Sequence, residues 1–308
     1  MGSGYRKPLY LLPFDHRHSY VAEMFQFTPP LTPEQHAAVT DSKQLIYEGF
    51  QAAIGNGVPK ELAGILVDEE FGTAILRDAT AQGYVTAMST ETSGSDEFEF
   101  EYGAEFADHL RDMAPTFAKA LVRYNPQGDT ALNERQTQRL RTLSDYCTGA
   151  GQLLMFELLV PATPAQLADV HGNAGEYDAR TRPRLMVEVI QAMQAAGVEP
   201  DVWKIEGLDR REDCEKIVAA ATAGGRSHVG CIVLGRGADE QKVLNWLEIA
   251  ASVPGFIGFA VGRTTFWDAL VALRDKTVTR EAAAEKIAAR YLEWIDVFET
   301  ARLAAGQA

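Results

Sequence analysis

Short apolar runs alternate with longer segments of helical periodicity along the whole chain. The runs Leu9–Asp15, Leu62–Asp68, Tyr84–Thr90, Ala118–Tyr124, Gln152–Leu158, Val202–Gly207, His228–Leu234 and Phe256–Gly262 read as strands. They are near-continuously apolar, the pattern of a sheet buried on both faces. Helix-period segments lie between them: Pro33–Ile54, Thr73–Gln82, Gly103–Met113, Leu132–Thr148, Arg182–Ala196, Arg210–Ala223, Asp239–Ala251 and Thr265–Lys276. A further one, Arg280–Ala305, follows the eighth strand. Eight strand–helix units predict an α/β fold of the closed (β/α)8 TIM-barrel kind rather than an open doubly wound sheet.

Punctuation supports these boundaries. Thr32-Pro33 and Thr163-Pro164 look like N-caps with proline at the first helical position, and Gly197 and Gly224-Gly225 sit where helices should stop. No interdomain linker is visible, so residues 1–308 read as one barrel domain with an extra C-terminal helix near 280–305. Two insertions, Arg17–Thr32 and Pro161–Thr181, leave the C-terminal ends of strands one and five, where such a barrel builds its site; either could be a lid. The acidic stretch Ser93–Glu105 reads as a solvated loop.

Composition narrows the function classes. The 308 residues are 46% hydrophobic, which excludes disorder, and 29 basic against 43 acidic side chains leave a net charge of −14. Such a balance argues against nucleic acid or an anionic membrane as partner, yet a small anion responds to local charge first. No run of eighteen apolar residues and no N-terminal signal core are present, and Cys147, Cys214 and Cys231 form no C-x-x-C pair. The expectation is a cytoplasmic protein with reduced, buried cysteines, free to form a homo-oligomer.

The strand ends carry chemistry unlike a plain core. Asp15, His16, Arg17 and His18 end strand one, Asp68 ends strand two, and Glu91 follows strand three. Lys119 and Arg123 lie on strand four, Glu157 on strand five, and Lys204 and Glu206 on strand six. Lys204 is flanked by apolar residues, and a buried lysine is costly unless paired or partly deprotonated. A desolvated amine beside a second cation, Lys119, is a candidate nucleophile for a carbonyl. The alternative is a lysine reaching for the barrel mouth or paired with Glu157 or Glu206. Glu157 is placed either to move protons during imine chemistry or simply to compensate the two lysines.

Strands seven and eight end in Gly235-Arg236-Gly237 and Gly262-Arg263, a pair of similar ends suited to a phosphate held by backbone N–H groups and a bidentate arginine. A dinucleotide reading fails because Glu240 stands where the third glycine is required. His16 and His18 could begin a metal-dependent hydrolase site, but His36, His109, His171 and His228 are not placed to complete it, so no metal and no other cofactor are expected.

The segments Phe14-Asp15-His16-Arg17, Gly64–Asp68, Lys119–Tyr124, Phe156-Glu157, Trp203–Glu206 and Val261-Gly262-Arg263 fall in order at strand ends. In this they resemble class I, Schiff-base aldolases of the tagatose-bisphosphate aldolase type. The chain looks closer still to the 5-dehydro-2-deoxyphosphogluconate aldolases of myo-inositol catabolism. The resemblance implies Lys204 as the Schiff-base lysine, Lys119 as the second lysine and Glu157 as the acid/base carboxylate. It also implies Asp15 and Glu91 around the sugar chain, and Gly235 with Gly262-Arg263 at the phosphate. Two departures touch the aldehyde half: His16 stands where glutamine is usual, and Thr92 where a lysine often follows the glutamate. The implied reaction is lyase cleavage of 2-deoxy-5-keto-gluconate 6-phosphate to dihydroxyacetone phosphate and malonate semialdehyde. The alternatives are the same chemistry on tagatose 1,6-bisphosphate or a sulfosugar phosphate, or a noncatalytic sugar-phosphate-binding barrel.

Overall fold

A computed structural model describes residues 4–306 of the chain. Among them, β1 (Leu9–Pro13), β2 (Ala63–Val67), β3 (Val85–Ser89), β4 (Phe117–Arg123), β5 (Leu153–Leu159), β6 (Val202–Glu206), β7 (Gly230–Leu234) and β8 (Phe256–Ala260) pair in chain order into a closed barrel. Every neighbouring pair is parallel, including β8 with β1. The expected (β/α)8 TIM barrel is therefore the fold.

The helices are α1 (His18–Tyr20), α2 (Pro33–Gly55), α3 (Glu69–Gln82), α4 (Phe106–Met113), α5 (Thr130–Ala150) and α6 (Pro164–Asp169). They continue with α7 (Ala174–Arg180), α8 (Arg182–Ala195), α9 (Arg211–Thr222), α10 (Glu240–Ala251), α11 (Arg263–Arg274) and α12 (Arg280–Ala304). Both expected proline-led starts are capping boxes, in which Thr32 with Gln35 and Thr163 with Gln166 satisfy each other's backbone N–H groups. Three helices, α3, α5 and α11, begin earlier than their periodicity suggests. α3 starts at Glu69 because Asp68 turns out of the strand and accepts from Phe71 N at 3.0 Å, while α11 starts at Arg263, directly behind Gly262.

Two apolar layers result from strand alternation. Leu9, Leu11, Leu66, Ala87, Phe117, Met155, Val202 and Ile232 fill the barrel interior as a plug. Trp203, Ile205, Phe156, Val67 and Phe259 face outward into the larger core beneath the helices. α12 lies against α2, α10 and α11, and Tyr291 Oη donates to Tyr10 O at 2.6 Å, which fixes this last helix to the barrel wall. Among the described residues no helix is long and apolar enough to cross a membrane.

The insertions fold as short helices at the C-terminal face. Arg17–Thr32 contains α1 and a π-helical turn, Val21–Phe25, while Pro161–Thr181 contains α6 and α7. The acidic stretch departs from a solvated loop. Thr92 N donates to Glu99 O and Glu101 N to Thr90 O, folding it back on itself around the buried Phe98. Glu97 pairs with Arg135 and Arg139, and Glu101 with Arg17. Aromatic residues spaced between the acids anchor the segment, so Glu97 and Glu101 are paired while Asp96 and Glu105 stay exposed to solvent.

Candidate active site

The apolar plug ends below Lys119, Glu157 and Lys204. Parallel register sets Glu157 directly beside Lys204 across β5 and β6, and Leu121 beside Glu157 across β4 and β5. Inward-facing positions two residues apart then carry Lys119, Leu121 and Arg123 on β4 and Glu157 and Leu159 on β5. Above them opens a cavity of about 230 Å³. Lys204, Glu157, Arg123 and His16 line its lower part; Gly235, Arg236, Gly237, Gly262 and Arg263 line its rim.

Lys204 Nζ lies 2.7 Å from Glu157 Oε1, with its side chain 5% exposed. The other oxygen of the same carboxylate, Oε2, lies 2.8 Å from Lys119 Nζ. Lys119 has no exposed surface and also meets Asp15 Oδ2 and Glu91 Oε1, each at 2.7 Å. The sequence suggested Lys119 as a second cation beside Lys204, with Glu157 as its one possible counter-charge. Instead, Lys119 is enclosed by three carboxylates and stands behind the cavity. Burial works against its charge, but Asp15, Glu157 and Glu91 hold its pKa well above the ordinary lysine value.

The carboxylates respond in the opposite sense. Burial alone would raise Asp15, yet Lys119 and Lys204 hold it well below the usual carboxylate range. Glu157 is likewise lowered, burial being outweighed by the same two lysines. Both are therefore anions at neutral pH. Glu91 is fixed further by Leu121 N and Thr90 N, which donate to its Oε2 at 3.1 and 3.2 Å.

The four-residue end of strand one separates into different roles. His16 reaches the cavity, and its Nδ1 is buried without a hydrogen-bond partner among the described residues. Burial lowers the His16 pKa and outweighs the pull of Asp15. Arg17 turns away, its guanidinium held by Glu91 O and by Glu101 at 2.9 Å. His18 is exposed, and its backbone N–H donates to Ser93 Oγ.

Asp68, expected near the substrate, is instead fully buried as the N-cap of α3 and the ion partner of Lys43. A helix that starts one residue after the strand claims its carboxylate. Glu206 also lies outside the cavity lining: it accepts from Val160 N at 2.9 Å and pairs with Arg182 at 3.0 Å and Arg236 at 2.8 Å.

The rim has the expected glycine-arginine ends with their arginines engaged. Arg236 and Gly237 take positive φ values of 51° and 65°, making a tight turn after β7. Arg236 reaches Glu206 and Asp178, the latter at 2.6 Å. Gly262 admits no side chain, since a Cβ would meet Pro13 O at 2.2 Å. That close approach brings the start of α11 over the barrel mouth, with no side chain capping its N-terminus. Arg263 pairs with Glu23 from the first insertion and lies over the Trp267 ring at 4.1 Å.

Sequence reasoning missed the apolar wall of Leu121, Leu159, Leu234 and Ala260. Alternation from Lys119 and Glu157 would have found the first two. It also missed Lys43, Arg182 and Glu23, whose partners lie far along the chain. Among the described residues no group of three or more His, Cys, Asp or Glu side chains could hold a metal ion.

No curated protein matches the chain. Among solved structures, the crystal structure of Cgl0159 from Corynebacterium glutamicum (Brevibacterium flavum) is similar, with a TM-score of 0.55 and 16% identity over 92% of this chain and 85% of that one. At that identity the likeness is one of fold. The family model described as "Uncharacterized protein conserved in bacteria (DUF2090)" matches residues 4–302, and the chain belongs to that family.

Proposed function

We propose that this barrel is a class I aldolase that cleaves 2-deoxy-5-keto-gluconate 6-phosphate through a Schiff base on Lys204. The observation that carries the reading is a nearly buried lysine opening into a cavity beneath a glycine-arginine rim, with one carboxylate oxygen 2.7 Å from its Nζ. Amine attack on the C5 ketone requires Lys204 to give up a proton, and Glu157 Oε1 is the acceptor within reach. Loss of water from the carbinolamine gives an iminium ion. Its nitrogen takes up the electron pair released when the C3–C4 bond breaks, malonate semialdehyde leaves, and protonation and hydrolysis return the lysine and dihydroxyacetone phosphate.

Lys119 acts from behind by holding Asp15 and Glu157 as anions and by fixing the positions of all three carboxylates, Glu91 included. The phosphate is assigned to the rim, where the start of α11 and the Arg236 and Arg263 guanidiniums offer donors suited to a dianion. The test is borohydride reduction with dihydroxyacetone phosphate, read by intact mass and peptide mapping, together with a coupled cleavage assay. A stable adduct on Lys204 and an inactive, unlabelled Lys204→Ala variant are expected. No adduct, with turnover by Lys204→Ala at the wild-type rate, would overturn the reading.

A further inference from the structure

We propose that His16 is the general base that takes the proton from the C3 hydroxyl as the C3–C4 bond breaks. The proposal rests on the Schiff-base reading and goes beyond it by separating two proton-transfer tasks. Glu157 serves the Lys204 nitrogen. The hydroxyl that becomes the aldehyde needs a different acceptor.

The cavity leaves few candidates. Both oxygens of Glu157 lie at ion-pair distance from ammonium groups, Oε1 from Lys204 and Oε2 from Lys119. Asp15 Oδ2 accepts from Lys119 and the residue does not line the cavity. Arg123 and Arg263 are cations with no basic lone pair. His16 lines the same cavity as Lys204, and its Nδ1 is buried with no hydrogen-bond partner among the described residues. An unpaired buried polar nitrogen is costly to leave unmade, and a substrate hydroxyl donating to it would supply the partner.

The protonation state suits the task. The charged groups acting on His16 are Asp15 beside it, Glu157 on β5, Lys119 on β4, Lys204 on β6 and Glu23 from the first insertion. Burial, with the two lysines, outweighs the acids and keeps the imidazole neutral below the ordinary histidine range. In the cleavage step the C3 hydroxyl proton passes to imidazole, the C3–O bond becomes the carbonyl, and the C3–C4 pair forms the C4–C5 double bond of the enamine. The iminium nitrogen accepts the displaced pair. The imidazolium then returns its proton to C4, so no proton is gained or lost.

Three readouts on His16→Gln and His16→Asn separate this role from packing. Borohydride trapping of dihydroxyacetone phosphate on Lys204 should persist, because imine formation does not use His16. Cleavage of 2-deoxy-5-keto-gluconate 6-phosphate should fall by about 100-fold or more. Solvent hydrogen exchange into bound dihydroxyacetone phosphate should fall with it. The wild-type kcat/KM should hold as pH drops through the ordinary imidazole range and fall only below it, and the variants should lose that limb. Cleavage within about threefold of wild type in both variants would overturn the proposal, against the loss expected from removing a general base. Equal loss of trapping and cleavage would also overturn it, by pointing to a structural role. A wild-type enzyme that forms no adduct overturns the Schiff-base reading itself, whereas an adduct with normal variant cleavage overturns the His16 assignment alone.

Discussion

Lys204 Nζ lies 2.7 Å from Glu157 Oε1, and the two residues are paired in register across neighbouring strands. The contact is therefore fixed by the backbone ladder and does not depend on a loop. Glu157→Gln keeps the shape and removes the proton acceptor. Imine formation with dihydroxyacetone phosphate should slow about 100-fold. A time course of borohydride-quenched adduct measures it directly, and a wild-type rate would remove Glu157 from the proton path.

Lys119→Met tests the enclosed cation. The substitution leaves Asp15, Glu91 and Glu157 crowded without their shared partner. Breaking a buried pair from one side costs about 3–5 kcal/mol, and three acceptors sharing one ammonium place this site at the upper end. Urea denaturation at neutral pH should show that loss. The deficit should narrow as pH falls toward 4, because protonating the orphaned acids removes their repulsion. A variant as stable as wild type would mean the cluster is hydrated and only loosely coupled.

The barrel and the buried lysine Lys204 beside the cavity were both legible because they depend on local signals. Continuous apolar runs marked the strands, and Lys204 interrupted one of them as a charge among Val202, Trp203 and Ile205. Pairings between distant segments left no such signal. Nothing in the sequence links Lys43 to Asp68, Arg182 to Glu206 or Glu23 to Arg263, because each contact is created by the closure of the barrel and the return of an insertion. Asp68 shows the limit most clearly: at the strand end it reads like a substrate ligand, while its position before α3 makes it a cap.

Asp68→Asn should accordingly affect folding and not substrate binding. Asparagine still caps α3, but Lys43, which has no exposed surface, loses its counter-ion. A stability loss of about 3 kcal/mol by urea denaturation is expected, with KM for the phosphorylated substrate unchanged. A raised KM with unchanged stability would return Asp68 to the site.

Acid should unfold the protein through the same cluster. Asp15 and Glu157 have folded pKa values below their unfolded values of about 3.9 and 4.3, so their stabilising contribution is complete above about pH 5 and is lost as pH falls through the folded values. Lys119 runs the other way: its raised pKa contributes below about pH 10 and is lost only as pH rises further. Urea midpoints should be flat from about pH 7 to 8, decline below about pH 6.5 as His16 is protonated first in the unfolded chain, and fall further below about pH 4. Stability that increased on going from pH 5 to pH 3 would contradict these directions.

The rim offers a test of the phosphate assignment, because Arg263 is already engaged. Glu23 holds its guanidinium from the first insertion, and Trp267 lies beneath it. A substrate phosphate must therefore compete with the Glu23 carboxylate for the same donors. Glu23→Gln removes the competitor's charge and should lower KM for the phosphorylated substrate, leaving kcat and the affinity for an unphosphorylated analogue unchanged. Arg263→Ala should raise KM for the phosphorylated substrate about tenfold or more, the scale of one lost hydrogen bond to a charged group. The double variant should resemble Arg263→Ala, since without the arginine Glu23 has nothing to withhold. If Glu23→Gln raised KM instead, the ion pair would be positioning Arg263 for phosphate and not restraining it.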